Sequence, residues 1–176
     1  MQLRPVSDLV SNLLSFLKCR KAEYLVSNFE SDMGTALEIA KRALTTNDVP
    51  VGAVVISPDG TVIGTGENRR EVDNDPTAHA EIVALRAASS AINTWRLDGH
   101  TLVVTLEPCA MCAGAIAQAR IKTLVFGAWD SKAGAVGSVW DVLRDPRSPH
   151  RIEVIAGIRE AECTELLSSF FKDFRN

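Results

Sequence analysis

The chain has 176 residues, of which 46% are hydrophobic and 23% charged, and its formal net charge is −3. That is long enough for one globular domain with a real core, and the composition is ordinary for a soluble globular protein. No run approaches the roughly 18 apolar residues of a membrane-spanning helix, and the acidic balance gives no bulk support for phosphate binding, which normally leaves a basic footprint.

Residues 1–32 differ in character from the rest. Leu9, Val10, Leu13, Leu14, Phe16 and Leu17 make one or two weakly amphipathic turns. The basic residues do not precede this apolar run as a secretory leader requires, and Asp8 stands where a leader would carry none. The segment reads as an N-terminal extension, poorly ordered or loosely docked, and Met33 as a candidate start of the working domain, residues 33–176.

From Ala36 the pattern sharpens. Ala36, Leu37, Ile39, Ala40, Ala43 and Leu44 recur at helical spacing. Val51 to Ile56 is a short apolar run rich in β-branched residues. Ser57-Pro58-Asp59-Gly60 is a turn, because Pro presets φ and Gly accepts positive φ. Thr61 to Gly66 returns as a second strand, so 51–66 is predicted to form a hairpin. Ala78 to Ala91 is an alanine-rich helix without Gly or Pro. Thr101 to Leu106 is a buried strand. Cys109 to Ala119 is a helix entered through Pro108, where a missing N–H costs nothing. Lys122 to Gly127 and Arg151 to Ile155 are two more strands, and Thr164 to Phe174 a closing helix. Strands alternating with helices predict an α/β sheet covered on both faces.

The chemistry concentrates in two short segments. One is His79-Ala80-Glu81, preceded by Asp75-Pro76-Thr77; the other is Pro108-Cys109-Ala110-Met111-Cys112. The four cysteines are Cys19, Cys109, Cys112 and Cys163. They are too few and too unevenly spaced for a disulfide framework, and Cys-x-x-Cys points to metal or redox chemistry in a reducing compartment. Cys19 and Cys163 read as inert small hydrophobes. At a helix start, residues i and i+3 share a face, so both sulfurs of Cys109 and Cys112 can reach one ion. The helix N-terminus favours the thiolate that zinc requires. His79, at another predicted helix start, adds an imidazole. No fourth Cys or His is placed to close the tetrahedron, since His100 and His150 lie outside any ligand motif. Three protein donors and an open position are the pattern of a catalytic zinc; four are that of a structural one. Glu81, two residues beyond His79, points elsewhere on a helix, so it can border the open position instead of binding the ion, and there it would act as a proton carrier. Such a zinc lowers the pKa of a bound water to about 7. The paired His-x-Glu and Pro-Cys-x-x-Cys segments are the known signature of zinc deaminases. The plain alternatives are a structural zinc or a redox pair, but neither uses Glu81.

On these motifs the chain resembles the bacterial tRNA-specific adenosine deaminases of the cytidine deaminase-like superfamily. The resemblance runs from about residue 36 to 175. It is strongest at Pro50-Val51-Gly52-Ala53, at Asp75 to Ile82, at Val104 to Ala115, and at Val125-Phe126-Gly127-Ala128, with Leu166-Leu167 and Phe170-Phe171 matching the closing helix. It implies a three-layer α/β/α fold with a central mixed five-stranded sheet, a homodimer, a cytoplasmic location and one zinc ion per subunit. It implies a tRNA anticodon stem-loop as substrate, with adenosine at wobble position 34 converted to inosine. It puts His79, Cys109 and Cys112 on the metal ligands, Glu81 on the proton shuttle, Asn68 on the residue that hydrogen-bonds the flipped base, Asp130 on a contact to a neighbouring ribose hydroxyl, and Val51 on an apolar wall of the base pocket. Trp129 stands where relatives often carry a charged or polar residue, and Arg70 where some carry proline.

Without the resemblance, the supporting residues have plainer readings. Asn68 at a strand end would satisfy local backbone. Asp130 would cap a turn or face solvent. Phe170, Phe171 and Phe174 would pack rather than stack on bases. Lys172 and Arg175 would face solvent and complement a helix dipole rather than touch phosphate, and Arg147, His150 and Arg151 form a small cluster that is either a phosphate contact or a solvated loop. Two rival functions share the same motifs: a deaminase of free guanine, cytosine or a nucleoside, and a zinc-stabilised binding module without catalysis.

Overall fold

A computed structural model describes residues 28–148 and 150–173. The readings made on residues 1–27, including Cys19, and on Phe174 and Arg175 lie outside the described residues. In chain order the elements are α1 (28–40), a 3-10 segment Lys41–Thr46, β1 (Gly52–Ile56), β2 (Val62–Glu67), α2 (Arg70–Asp73), α3 (Ala80–Ala91), β3 (Thr101–Leu106), α4 (Ala110–Gln118), β4 (Thr123–Ala128), β5 (Glu153–Ala156) and α5 (Glu160–Asp173).

The strands form one five-stranded sheet in the order β2-β1-β3-β4-β5. β1 runs antiparallel to β2 and to β3, whereas β3, β4 and β5 are parallel, so the sheet is mixed. The central strands are Gly-Ala-Val-Val-Ile, Thr-Leu-Val-Val-Thr-Leu and Thr-Leu-Val-Phe-Gly-Ala, almost wholly buried. Continuous apolar runs of this kind suit strands covered on both faces. The period of two then sorts their side chains. Val55, Leu102, Val104, Leu124 and Phe126 face one core with Ala84 and Ala88 of α3 and Ile116 of α4. Val54, Val103 and Val125 face a second core with Met33 and Leu37 of α1 and Cys163 of α5. The layers are thus α3 and α4, sheet, α1 and α5, the three-layer α/β/α arrangement that the sequence predicts.

Differences from the sequence reading lie at element ends. Helix α1 is already formed at residue 28, the first described residue, and crosses the boundary placed between 32 and 33; Met33 is fully buried within it. The helix expected through Leu44 tightens after residue 40, where Thr45 and Thr46 hydroxyls donate to the Arg42 and Ala43 carbonyls, 2.8 and 3.0 Å away. Such i−3 bonds favour a 3-10 turn over an α-turn. α5 begins four residues before Thr164, in a polar stretch where no apolar periodicity announces it. The four-residue α2 escapes the sequence reading for the same reason.

Glycine places the sheet against its helices at two strands. A Cβ on Gly52 would lie 2.2 Å from the Ala36 carbonyl oxygen in α1, and one on Gly66 would lie 2.4 Å from the Ala80 carbonyl oxygen in α3. Both neighbours are backbone and cannot swing aside. Gly66→Val is therefore expected to destabilise the fold by about 3 kcal/mol or more through overpacking. A urea titration checks this; an unchanged midpoint would show that α3 tolerates displacement from β2.

Candidate active site

Helices α3 and α4 begin beside each other, and the residue capping each is a predicted metal ligand. His79 precedes α3 with φ −72° and ψ 152°, and Cys109 precedes α4 with φ −72° and ψ 173°. An N-cap side chain usually accepts a hydrogen bond from its own helix. Neither His79 nor Cys109 does so, which leaves both free to face an ion. Cys112 sits one turn into α4 and is buried. The His79 Nδ1 atom lies 3.7 Å from Cys109 Sγ and 3.5 Å from Cys112 Sγ. All three donor atoms lie within 4.8 Å of one another. Zinc bonds of about 2.3 Å to sulfur and about 2.0 Å to nitrogen at a tetrahedral angle separate the two atoms by about 3.5 Å. The donor set and its spacing fit a zinc ion. No other cluster of this kind occurs among the described residues.

The electrostatics suit a cation. A hydrogen bond from Cys112, reinforced by one with His79, pushes the Cys109 thiol down to about 3. Cys112, donating to that thiolate and buried, is pushed up. The hydrogen bond to Cys109 raises the His79 pKa. A divalent ion takes its cysteine ligands as thiolates, so binding here would displace the thiol protons.

Glu81 is only 4% exposed. Burial pushes its carboxyl pKa up. With His79 and Cys109 it lines a cavity of about 220 Å³. Val51, Asn68 and Asp130 line the same cavity. Six of the seven predicted site residues therefore meet around one space, and the seventh, Cys112, completes the donor cluster. Asn68 is 94% buried by its 6% exposure, and its backbone N–H donates to Val51 O at 3.0 Å. Its side-chain amide has no hydrogen-bond partner among the described residues, so it is not spent on local backbone. Asp130 behaves partly as its plain reading expects: Oδ1 accepts the N–H groups of Lys132 and Ala133 at 2.9 and 3.2 Å.

Two buried carboxylates that the sequence reading did not assign hold the rim. Glu107, 2% exposed, accepts N–H groups from Asp130 (3.1 Å), Val136 (2.9 Å) and Ser138 (3.1 Å). Burial pushes its pKa up, but these hydrogen bonds outweigh that and hold it low. It therefore fixes the loop that carries Asp130 and pairs Gly134 with Cys109. Asp48, fully buried, accepts the N–H groups of Glu71 (2.8 Å) and Val72 (3.3 Å), capping α2 from a distant segment and setting Arg70 at the cavity. A sequence signal existed for Glu107: an acid at the end of a buried strand needs partners. For Asp48 there was none, because its partners lie 23 and 24 residues away. Glu107→Ala is expected to cost about 3 kcal/mol, since it strands buried N–H groups. Thermal melting tests this; a Tm within a degree of wild type would deny Glu107 its role in holding the loop.

Comparison with known proteins agrees with this geometry. Residues 27–128 match the cytidine and deoxycytidylate deaminase zinc-binding region. A tRNA-specific adenosine deaminase of Haemophilus influenzae is 49% identical over 146 residues, covering 83% of this chain and 84% of that protein. One of Bacillus subtilis is 43% identical over 143 residues, covering 81% and 88%. A solved structure from work on A-to-I editing by tRNA:A34 deaminases superposes with a TM-score of 0.75 at 45% identity, covering 78% of this chain and 99% of the other. The chain belongs to the zinc-binding cytidine and deoxycytidylate deaminase family and, within it, to the tRNA-specific adenosine deaminases.

Proposed function

We propose that the protein deaminates adenosine to inosine at wobble position 34 of a tRNA anticodon stem-loop. The observation that carries this is a buried carboxylate, Glu81, lining one small cavity with two of three zinc donors and an uncommitted amide, Asn68. The relatives named as tRNA-specific adenosine deaminases support the choice of substrate.

In this reading His79, Cys109 and Cys112 hold one zinc per subunit. When bound there, zinc supplies a Lewis acid that makes water a nucleophile near neutral pH. The remaining work falls to the chain. A cavity of about 220 Å³ takes a single extruded base. Loop bases are already partly unstacked, which lowers the cost of extrusion. Val51 packs against the ring, Asn68 hydrogen-bonds its edge, and Asp130 meets a neighbouring ribose hydroxyl. Glu81 takes a proton from the attacking water and delivers it to N1 of the purine. That makes C6 electrophilic, and the new C6–O bond forms. Glu81 then carries the second proton from that oxygen to the amino group, the C6–N bond breaks, and ammonia leaves. Its buried setting keeps the proton between these partners rather than in bulk water.

The protein acts as a homodimer in this reading. An apolar groove of about 510 Å³ between α3 and α4, lined by Ile82, Leu85, Ala115 and Trp95, lies open in the single chain. Trp95 is 60% exposed there, which suits a contact surface. A cytoplasmic location follows from the substrate and from the reducing conditions that metal-binding thiolates need. Among the described residues no helix is long and apolar enough to cross a membrane.

Glu81→Ala should keep one zinc per subunit, measured by atomic absorption, while turnover of an adenosine-34 stem-loop falls by about 10⁴-fold. Near-normal turnover would remove the proton-carrier role. Incubation with the stem-loop and, separately, with free guanine, cytosine and nucleosides should yield inosine and ammonia from the RNA alone. Ammonia only from a free base would replace the RNA reading with the small-molecule one, and ammonia from nothing would leave a binding module. Trp95→Glu is expected to halve the mass found by light scattering; an unchanged dimer would place the subunit contact elsewhere.

A further inference from the structure

The cavity opens onto two grooves. One, of about 600 Å³, shares Val49, Asn68 and Arg70 with the cavity. The other, of about 500 Å³, shares Val49, Leu106, Asp130 and Ala133 with it and carries Trp129. Val49 and Phe171 border both grooves. The cavity is thus flanked by one groove on the Asn68 and Arg70 side and another on the Asp130 and Ala133 side.

Each arm offers one side chain equipped for a nucleotide. In the first, Arg69 is committed to Asp73 at 2.8 Å and Glu67 at 3.4 Å, but the Arg70 guanidinium has no ion pair or hydrogen bond among the described residues. It stands at the first position of α2, held there by the Asp48 cap. A positioned and unpaired guanidinium is suited to a phosphate. In the second arm, Trp129 is 45% exposed yet fixed. Its ring meets the fully buried Phe126 edge to face at 4.8 Å and 87°. A large aromatic surface packed against Phe126 and left half-exposed in the groove that adjoins the base-sized well is suited to stack on a base. Neither device needs a basic bulk charge, so a chain of net charge −3 can still hold a polyanion at this one place.

Resting on the RNA reading above, we propose that Arg70 and Trp129 set the nucleotide context of the reaction. Arg70 takes a backbone phosphate on one flank of the target adenosine, and Trp129 stacks on the base of the other flank.

The test uses the zinc-loaded full chain and anticodon stem-loops made abasic at one or the other flanking position. Loss of the base that Trp129 meets should lower kcat/KM of the wild type by about 5- to 150-fold, the usual worth of one stacked base. In Trp129→Ala the same abasic change should cost less than twofold. Arg70→Met should keep the full abasic penalty but make log kcat/KM less steep in log salt by about 0.7, one phosphate contact to a single strand. An undiminished penalty in Trp129→Ala overturns the stacking role, and an unchanged salt slope in Arg70→Met overturns the phosphate role. A drop to monomer mass in Trp129→Ala would instead assign the ring to the subunit contact. These outcomes presuppose an active wild type; a wild type inert on every stem-loop sinks the RNA reading itself, and this proposal with it.

Discussion

The structure depends on bringing two helix starts to one point. His79 and Cys109 both stand in extended backbone just before their helices, and Cys112 follows one turn into the second. Three donors then fall within 4.8 Å although they come from segments 30 residues apart. The sheet order makes this possible. β1 lies between β2 and β3, and β3 pairs with β4, so α3 and α4 pack side by side on the same face. The close seating of Gly66 against α3 sets the depth of the first helix, and the Glu107 network sets the loop that closes over the second.

Burial does the rest of the chemical preparation. A cation needs thiolate donors, and the Cys112 to Cys109 hydrogen bond at a helix start already favours one. The proton-carrier role proposed for Glu81 needs a carboxyl that is not held permanently ionised, and burial pushes its pKa up. The neighbouring Glu107 has the opposite fate. It too is buried, but its hydrogen bonds to backbone N–H groups hold its pKa low and commit it to structure. Two glutamates lining one cavity are thus shifted in opposite directions by their surroundings.

Much of this was legible in the sequence. The order of strands and helices followed from short β-branched runs alternating with helical periodicity, and the metal donors followed from their residue types and spacing. The parts that escaped share a physical reason. Helix α2 has no apolar face; it forms because Asp48, distant in sequence, satisfies its first N–H groups. The start of α5 is polar, and α1 extends through a stretch whose burial becomes evident only once Met33 meets Val54 and Val103. Asn68 is instructive in another way. Local reasoning assigned its side chain to turn backbone, whereas its backbone N–H does the pairing and the residue lines the cavity. A sequence gives residue types; which of a residue's polar groups is already spent is decided by the fold.

The central claim is that three side chains hold a metal and leave one coordination position to solvent, with Glu81 beside it. X-ray absorption at the zinc edge of the purified protein tests it most directly. The account predicts one zinc per chain with two sulfur neighbours at about 2.3 Å and two lighter neighbours at about 2.0 to 2.1 Å, one of them exchangeable with added small ligands. A protein that retains no zinc, or a zinc enclosed by four protein donors that no small ligand displaces, would contradict it.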